Sequence, residues 1–415
     1  MVKADLFVRH ARFAGSISLM DRKRLAVAAL ALLAACALPG SGRAEKAPEA
    51  FQTAAPHAIL IDADSGSVLF EKTADQLTYP ASLAKLMTTE VVFHEIQEGR
   101  LDPETEFVIS ENAWRRGGAP AGGSAMFAPL HSRVKVRDLL RGVIVQSGND
   151  ACIAIAEGMA GSEAAFAATM NKRARELGLT KSNFTNPAGL HDPDMKVTAR
   201  ELAKLAQHII KTYPELYKIY NEREFTWNKI RQQNRNPLLN MGIGADGLKT
   251  GYTKEAGYGL VGSAVQNGLR LIVVVNDLKT QKERADEARK LLEWGFRAFE
   301  SRLLFAEDET VGEAKLYGGA KGRVPLTGER AIRVLVPRGV SEKIIARIVY
   351  TGPVPAPVEQ GQPIGRLKVW RGENVVLEAP LQAAESIGKG NLTQRAFDAA
   401  TELVVGLFRA GAERL

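Results

Sequence analysis

The sequence predicts an α+β protein in which an antiparallel sheet flanked by helices precedes a small all-β domain and a C-terminal amphipathic helix. Strand signals in the first part of the chain occur as hairpin pairs, and hairpins exclude an all-parallel sheet. Apolar and amphipathic helix signals separate those pairs. After about Leu303 the helix signals give way to short β-type runs between Gly and Pro turns. A chain of 415 residues has room for two or three domains.

The first domain is expected over residues 50–300. Its clearest hairpin turn is Asn267-Gly268, because both residue types tolerate the left-handed backbone of a tight two-residue turn. A second hairpin is expected around Asp64-Ser65-Gly66. The predicted strands are residues 59–61, 68–70, 249–253, 258–265 and 269–275, and the predicted helices are residues 83–98, 136–146, 151–160, 163–177, 198–211 and 283–300.

The second domain is expected over residues 303–388, and none of its residues has catalytic spacing. Residues 391–415 are predicted to form an amphipathic helix, because apolar side chains recur at helical spacing between Phe397 and Phe408. Its polar face carries both signs of charge, so a helix docked on its own domain is the alternative to a membrane-associating one. The predicted strands of the second domain are residues 333–336, 345–350, 366–370 and 375–378.

Residues 1–44 are predicted to be an export signal. A charged segment at residues 21–24 precedes an apolar run, 25–38, which is too short to span a bilayer comfortably. Met20 is the more natural start, and cleavage is expected after Ala44 or a few residues later. A lipoprotein cleavage box ending at Cys36 is the alternative. We therefore expect an exported protein of the periplasm or cell envelope.

Charge and composition argue against several other classes of protein. The formal net charge is +8, but residues 1–44 carry seven basic and two acidic side chains, so the mature chain keeps only +3. A nucleic-acid partner therefore loses most of its support. Cys152 is the one cysteine besides Cys36 and is most simply a buried small hydrophobe. The six histidines are scattered, so neither a metal site nor a cofactor is expected.

Three short motifs carry the chemistry: Ser82-x-x-Lys85, Ser147-Gly148-Asn149 and Lys249-Thr250-Gly251. Together they supply a nucleophile, candidate bases and an anion-binding strand, which are the parts needed to open an amide through a covalent acyl-enzyme. The first pattern also occurs at residues 132–135 and 386–389, but only Ser82 opens an apolar helix. Alone, each motif has an ordinary structural explanation such as a helix cap, and their ordered occurrence argues against it.

With these motifs the chain resembles the penicillin-recognising serine enzymes, and more narrowly the low-molecular-mass penicillin-binding proteins that are serine D-alanyl-D-alanine carboxypeptidases. The resemblance runs from about His57 to the C-terminus. It implies a β-lactamase/transpeptidase-like first domain, peptidoglycan stem peptides as substrates, inhibition by β-lactams and peripheral attachment to the outer face of the cytoplasmic membrane. It includes the segments 79–82, 246–253, 256–258 and 291–296.

The motif residues have distinct expected roles. Ser82 is the nucleophile, and Lys85 lies one turn away on the same helix face, within reach as its base. A lysine can act as a base only when its pKa falls well below about 10.4, and burial and a second cation, Lys249, both favour that. Ser147 is expected to relay a proton to the leaving amine, and Asn149 to hold the substrate amide.

The third motif and its neighbours are expected to bind the rest of the substrate. Lys249 and Thr250 bind the terminal carboxylate, and Gly251 lets the substrate backbone approach closely. By resemblance, the oxyanion hole uses the backbone N–H groups of Ser82 and Tyr252. Tyr252 stands where close relatives often carry His, which leaves the substrate preference and pH optimum open. Two further side chains, Arg200 and Arg284, match weaker family positions that shape the carboxylate pocket, and solvated helix arginines are the alternative explanation for each.

The predicted activity is removal of the terminal D-alanine from peptidoglycan stem peptides. A β-lactamase is the nearest alternative, but residues 180–196 contain no Glu that could serve as an extra base for deacylation. A D,D-endopeptidase remains open, because the same site can serve either bond. A non-catalytic envelope binding protein is the alternative from another class, and the intact motif set counts against it.

Overall fold

The computed structural model describes residues 2–6, 51–339 and 344–400. The predicted cleavage region, Cys36 and residues 401–415 of the predicted C-terminal helix lie outside the described residues. The α+β class predicted from the sequence is confirmed. A helical and sheet-containing first domain ends at Ala298, and an all-β domain (the β domain, residues 299–389) follows.

The first domain contains short hairpins and helices around one main sheet. Strand β1 (Val2–Leu6) precedes it in the chain and pairs with the β domain. The elements that follow are β2 (His57–Asp62), β3 (Val68–Lys72), α1 (Lys85–Gln97), β4 (Glu106–Val108), α2 (Glu111–Gly117), β5 (Arg133–Lys135), α3 (Val136–Arg141), α4 (Asn149–Ala160), α5 (Glu163–Glu176), α6 (Ala199–Thr212), α7 (Pro214–Tyr217), β6 (Glu224–Trp227), β7 (Ile230–Gln233), β8 (Ala245–Thr253), β9 (Gly257–Gln266), β10 (Leu269–Leu278) and α8 (Gln281–Ala298).

The main sheet is antiparallel and has the strand order β3-β2-β10-β9-β8. The hairpin predicted at Asn267-Gly268 joins β9 to β10, and both turn residues have positive φ, as a type I′ turn requires. Strand β10 is buried on both faces. Val273 packs on one side among residues that include Leu291 of α8, and Val274 packs on the other side among residues of α1 and α4. This two-sided cover explains the apolar run of β10.

Several helices differ in detail from the sequence prediction. The helix expected over residues 136–146 is α3 followed by a π-helix, Gly142–Gln146, which ends at Ser147. Helix α8 ends at Ala298 rather than at residue 300, and the next residue already belongs to a strand. Helix α2, the antiparallel pair of β4 with β5 and the β6–β7 hairpin were not predicted, because these elements are short and their side chains are largely polar.

The β domain is a sheet of strands around its own apolar core. Its strands are β11 (Phe299–Phe305), β12 (Gly312–Tyr317), β13 (Arg323–Gly328), β14 (Ile332–Pro337), β15 (Ile344–Tyr350), β16 (Val354–Pro355), β17 (Pro363–Arg371) and β18 (Asn374–Ala383). The larger sheet has the order β1-β15-β17-β18-β13-β12-β16, while β11 pairs with β14. Leu335 and Phe299 join the core between the main sheet and α8, and so connect the two domains.

Residues 392–400 are helical, in agreement with the beginning of the predicted C-terminal helix. The Asp398 carboxylate accepts a hydrogen bond from the N–H of Gly318, in the turn after β12, at 2.8 Å. Leu392 and Phe397 are strongly exposed. Among the described residues no single helix is long and apolar enough to cross a membrane, and only α4 and α5, bent by 83°, meet that length and composition as a pair.

Candidate active site

The predicted nucleophile lies in a 3₁₀ turn, Ala81–Ala84, that leads into α1. Two glycines allow neighbouring segments to pack against this turn. A Cβ on Gly251 would come within 2.9 Å of the Pro80 carbonyl oxygen, and a Cβ on Gly189 would overlap the Ala81 carbonyl oxygen at 1.9 Å. Gly251 also lines the cleft, where it was expected to admit the substrate backbone, and its missing side chain leaves space for the turn that carries Ser82.

Lys85 is fully buried, and its ammonium nitrogen has three oxygen neighbours. Nζ lies 2.9 Å from Ser82 Oγ, 2.8 Å from Asn149 Oδ1 and 2.5 Å from the Ala188 carbonyl oxygen. Ala188 belongs to the loop after α5, which sequence reasoning considered only for its lack of a Glu. Two of these partners can only accept hydrogen bonds, so a neutral amine that donates to both must point its lone pair toward Ser82.

Burial lowers the pKa of Lys85 to about 8, and the positive charge of Arg235 acts in the same direction. The sequence reasoning assigned that second cation to Lys249. Lys249 is itself buried, its Nζ donates to the Thr250 carbonyl oxygen at 3.0 Å, and burial and the charge of Lys85 lower its own pKa well below the ordinary value. The repulsion between the two lysines therefore favours a neutral amine in this pair.

The second motif lies at the junction of the π-helix and α4. Asn149 is the first residue of α4, which begins two residues earlier than predicted, and Ser147 precedes the helix with a left-handed backbone, with φ of 64°. A non-glycine residue in this conformation is uncommon and is often found at functional sites. The buried Asp150 carboxylate accepts hydrogen bonds from the N–H groups of Met126 and Ala128, which holds the preceding loop against α4.

Ser82 opens into a cleft of about 610 Å³. Ser147, Thr250, Gly251 and Tyr252 also line it, so the cleft brings together residues from all three motifs. Strand β8 is the edge strand of the main sheet and packs against the turn of Ser82. An edge strand leaves alternate N–H and C=O groups without a strand partner, which makes them available to a bound peptide.

Two arginines supply the positive charge of the cleft. Arg284, at the start of α8, is buried, has no hydrogen-bond partner at Nε, and has no ion pair among the described residues. Its guanidinium lies 5.6 Å from the ring centroid of Tyr258. Burial lowers the pKa of Arg284 to about 10, so it stays charged at neutral pH. Arg235 also lines the cleft and donates to Ser124 Oγ at 2.8 Å.

Arg200 does not belong to this cleft, contrary to the expectation from the sequence. Its guanidinium pairs with Asp75 at 2.8 Å and with Glu71 at 2.5 Å, and it lines a groove between the two domains. Asp75 and Glu71 neutralise the Arg200 guanidinium. The location of Arg200 outside the cleft does not support a part in binding a substrate carboxylate. Lys249 is buried, as Lys85 is, and its neighbour Thr250 lines the cleft.

Comparison with known proteins identifies the family. Residues 43–280 match the family described as D-alanyl-D-alanine carboxypeptidase, and residues 299–389 match the family described as penicillin-binding protein 5, C-terminal domain. The chain belongs to the D-alanyl-D-alanine carboxypeptidase family. This carboxypeptidase is a serine hydrolase, and the activity predicted from its sequence is confirmed.

The carboxypeptidase is similar to its relatives over almost their whole length. It is 40% identical to D-alanyl-D-alanine carboxypeptidase DacA of Haemophilus influenzae over 84% of this chain and 89% of that protein. It is 40% identical to DacC of Escherichia coli over 87% of this chain and 91% of that protein. The crystal structure of penicillin binding protein 5 from Haemophilus influenzae, also 40% identical, superposes with a TM-score of 0.72 and covers 82% of this chain and 99% of that one.

The carboxypeptidase contains site residues that the sequence reasoning missed. Arg235 and Ser124 line the cleft, and the Ala188 carbonyl oxygen contacts Lys85. None of them belongs to a motif with fixed spacing, and a contact made by a backbone carbonyl cannot be recognised from the residue types. Tyr252 is half exposed, and its ring stacks on Tyr258 with centroids 4.1 Å apart, so these two aromatic side chains form one wall of the cleft.

Proposed function

We propose that this carboxypeptidase releases the terminal D-alanine of peptidoglycan stem peptides through an acyl-enzyme on Ser82. The observation that carries the proposal is the 2.9 Å separation between Lys85 Nζ and Ser82 Oγ, with the amine fixed by Asn149 and Ala188. A pKa of about 8 leaves roughly a tenth of Lys85 neutral at pH 7. That fraction is enough for a base that regains its proton in every turnover.

Acylation begins when the neutral amine of Lys85 takes the hydroxyl proton of Ser82. Oγ then bonds to the carbonyl carbon of the penultimate D-alanine, and the negative charge moves to the carbonyl oxygen. The backbone N–H groups of Ser82 and Tyr252 are the proposed donors to this oxyanion. Tyr252 lies on the edge strand β8, which supports this role, because an outward-facing N–H there has no strand partner.

The leaving D-alanine must gain a proton as its C–N bond breaks. Ser147 lines the same cleft as Ser82 and is the proposed relay for the proton that Lys85 accepted. Asn149 accepts from Lys85 through Oδ1, so its amide nitrogen remains to hold the substrate carbonyl. Water then attacks the acyl-enzyme, with Lys85 as the base, and the shortened stem peptide leaves.

The terminal carboxylate of the substrate is proposed to bind at Arg284, Arg235 and Thr250. Arg284 is the strongest candidate, because its buried guanidinium has no anionic partner of its own. A charge-assisted bond from a carboxylate would compensate for that burial. Lys249 contributes indirectly, through the positive charge it places behind Thr250 whenever it is protonated.

β-Lactams are proposed to acylate Ser82 because they mimic the D-alanyl-D-alanine end. The test is an intact-mass time course of the protein with benzylpenicillin, together with an assay of D-alanine release from a soluble pentapeptide. We expect one slowly decaying adduct on the natural protein. The Ser82→Ala variant should form no adduct and release no D-alanine, roughly a 10⁴-fold loss or more, while its melting temperature stays close to that of the parent.

Three other results would redirect the assignment. Rapid loss of the antibiotic without a lasting adduct would favour a β-lactamase. An unchanged mass together with intact antibiotic and no D-alanine release would favour a non-catalytic binding protein. Release of stem peptides from cross-linked dimers faster than release of D-alanine would favour the D,D-endopeptidase.

We infer further that the protein is exported through residues 1–44 and held at the outer face of the cytoplasmic membrane by its C-terminal helix. The exposure of Leu392 and Phe397, on a helix whose Asp398 bonds to the β domain, supports an apolar side available to lipid. Cleavage after Ala44 would remove β1 with the signal. Truncation after Gly390 should move the protein from the membrane fraction to the soluble periplasm, and an unchanged distribution would exclude the anchor.

A further inference from the structure

Three strands of the β domain present an outward face with an apolar row centred on one aromatic side chain, Trp370. Strand β17 lies between β15 and β18, and the strand registers place Trp370 beside Ile345 on one side and Val375 on the other. Trp370 follows the buried Val369, so it lies on the opposite side of the sheet from the core. Val375 is 46% exposed, and Trp370 and Ile345 are half-buried. A flat apolar row of this kind remains accessible to a ligand.

A row of charged side chains lies directly next to it. Lys368 is paired in register with Arg347 on β15 and with Glu378 on β18. Arg366 lies two residues before Lys368 on β17 and therefore on the same face. Glu378 lies 2.8 Å from Lys368 Nζ and 3.6 Å from Arg366 Nη1. The Arg347 guanidinium lies 5.7 Å from the Trp370 ring centroid. Lys368 and Arg366 share the one carboxylate of Glu378, so these three side chains carry an excess of positive charge.

We propose that this aromatic and basic face binds the peptidoglycan polymer at a site separate from the catalytic cleft. The polymer joins sugar rings, whose apolar faces stack on aromatic side chains, to stem peptides that carry carboxylates. The face offers both kinds of partner within neighbouring rows. Binding here would keep the protein on the polymer while successive stem peptides enter the cleft. The proposal rests on peptidoglycan being the substrate.

The shape of the molecule around this face fits a long ligand. Val375 and Glu378 also line a groove of about 600 Å³ between the β domain and the edge strand β3 of the first domain. Arg371 lines the same groove on the β-domain side. A polymer bound on the face can therefore continue along the boundary between the two domains, toward the domain that carries Ser82.

The position of the C-terminal helix argues for the polymer rather than a membrane surface as the ligand. Asp398 of that helix bonds to Gly318, in the turn after β12. The strand order places β18 and β13 between β17 and β12, a separation of roughly 15 Å at the usual spacing of neighbouring strands. If the helix lies on the membrane, the face around Trp370 is set apart from it.

The experiment measures binding of the protein to purified peptidoglycan sacculi after benzylpenicillin has blocked Ser82. We expect Trp370→Ala and Arg366→Glu each to weaken binding at least tenfold at low salt. Arg323→Glu on β13 is the matched control, because the two arginine side chains are 69% and 71% exposed and each lies within 3.6 Å of one Glu. This control should bind as the parent does. Release of D-alanine from a soluble pentapeptide should be unchanged in all three variants.

Unchanged binding of Trp370→Ala and Arg366→Glu would overturn the proposal, and so would an equal loss in Arg323→Glu, which would mean that only net charge matters. If these two variants still bind sacculi but no longer bind phosphatidylglycerol vesicles, the face is assigned to the membrane instead. If Trp370→Ala lowers the melting temperature, sacculus binding of Trp370→Phe and of Arg366→Glu is compared with that of the parent protein instead. Failure of the soluble-peptide assay in the parent protein would count against the carboxypeptidase chemistry and not against this face.

Discussion

The first domain buries lysines, carboxylates and amides in its interior, whereas the β domain buries almost none. Lys85, Asp150 and Lys249 are all at most 2% exposed, and Glu90 and Glu201 are buried as well. Beyond Ala298, Thr327 is the one buried polar side chain that the structure describes. Burying a charge costs free energy unless it is paired, so the first domain accepts a cost that the β domain avoids.

The difference shows where each domain works. A base must lose its proton near neutral pH, and removing a lysine from water is the direct way to achieve that. Burial of Lys85 therefore serves the reaction. The charged side chains of the β domain stay at its surface, where they can meet a large partner. Substitutions in each domain can test this division.

Replacing Lys85 by Met should reduce acylation of Ser82 roughly 10³- to 10⁴-fold, for both pentapeptide and penicillin, because the general base is lost. Lys85→Arg is the matched control. It keeps a positive charge but cannot release its proton near neutral pH, so it should be equally inactive. Stopped-flow acylation measures both variants. Recovery of activity in Lys85→Arg would mean that the residue acts only as a fixed charge.

Acylation should rise with pH and level off above about 8. The reactive form of Lys85 is the neutral amine, and its pKa is lowered to about 8 by burial. Below that value the neutral fraction falls tenfold for each pH unit. The second-order rate constant for a soluble pentapeptide, measured from pH 5.5 to 9.5, checks this dependence. A flat profile between pH 6 and 9 would contradict the assignment of Lys85 as the base.

Replacing Arg284 by Met should lower kcat/KM for a substrate with a free terminal carboxylate by about 10- to 100-fold, the usual value of a hydrogen bond to a charged group. A substrate with an amidated terminus should be affected little. Arg200→Met is the matched control, because its guanidinium already pairs with Asp75 and Glu71. Equal losses in the two variants, or equal losses for the two substrates, would remove Arg284 from the carboxylate site.

Replacing Leu367 by Ala should leave D-alanine release from soluble peptides unchanged while it destabilises the β domain by about 2–4 kcal/mol, the usual range for a cavity in a packed core. Leu367 is fully buried within the β-domain core. Calorimetry and the soluble-peptide assay, run on one preparation below the transition, provide the two readouts. A parallel loss of activity would show that the β domain supports the cleft and that catalysis does not depend on the first domain alone.

Arg200 and Arg284 cannot be distinguished by the residues next to them in the sequence. Each lies at the start of a helix. In the structure Arg200 meets Asp75 and Glu71, more than a hundred residues earlier in the chain. Arg284 meets no carboxylate among the described residues. Which arginine remains available for a substrate depends on contacts that no spacing rule records.

The local pattern of the chain was sufficient for the motif serine and lysine, the main strands, most of the longer helices and the change to an all-β domain. These features repeat over a few residues, since hydrophobic periodicity and turn chemistry act within one element. Three arrangements follow from the tertiary structure alone: Asn149 and Ala188 hold Lys85, Arg235 lines the cleft, and Gly251 makes room for the turn of Ser82. These arrangements join segments far apart in sequence, and burial and electrostatics depend on that packing.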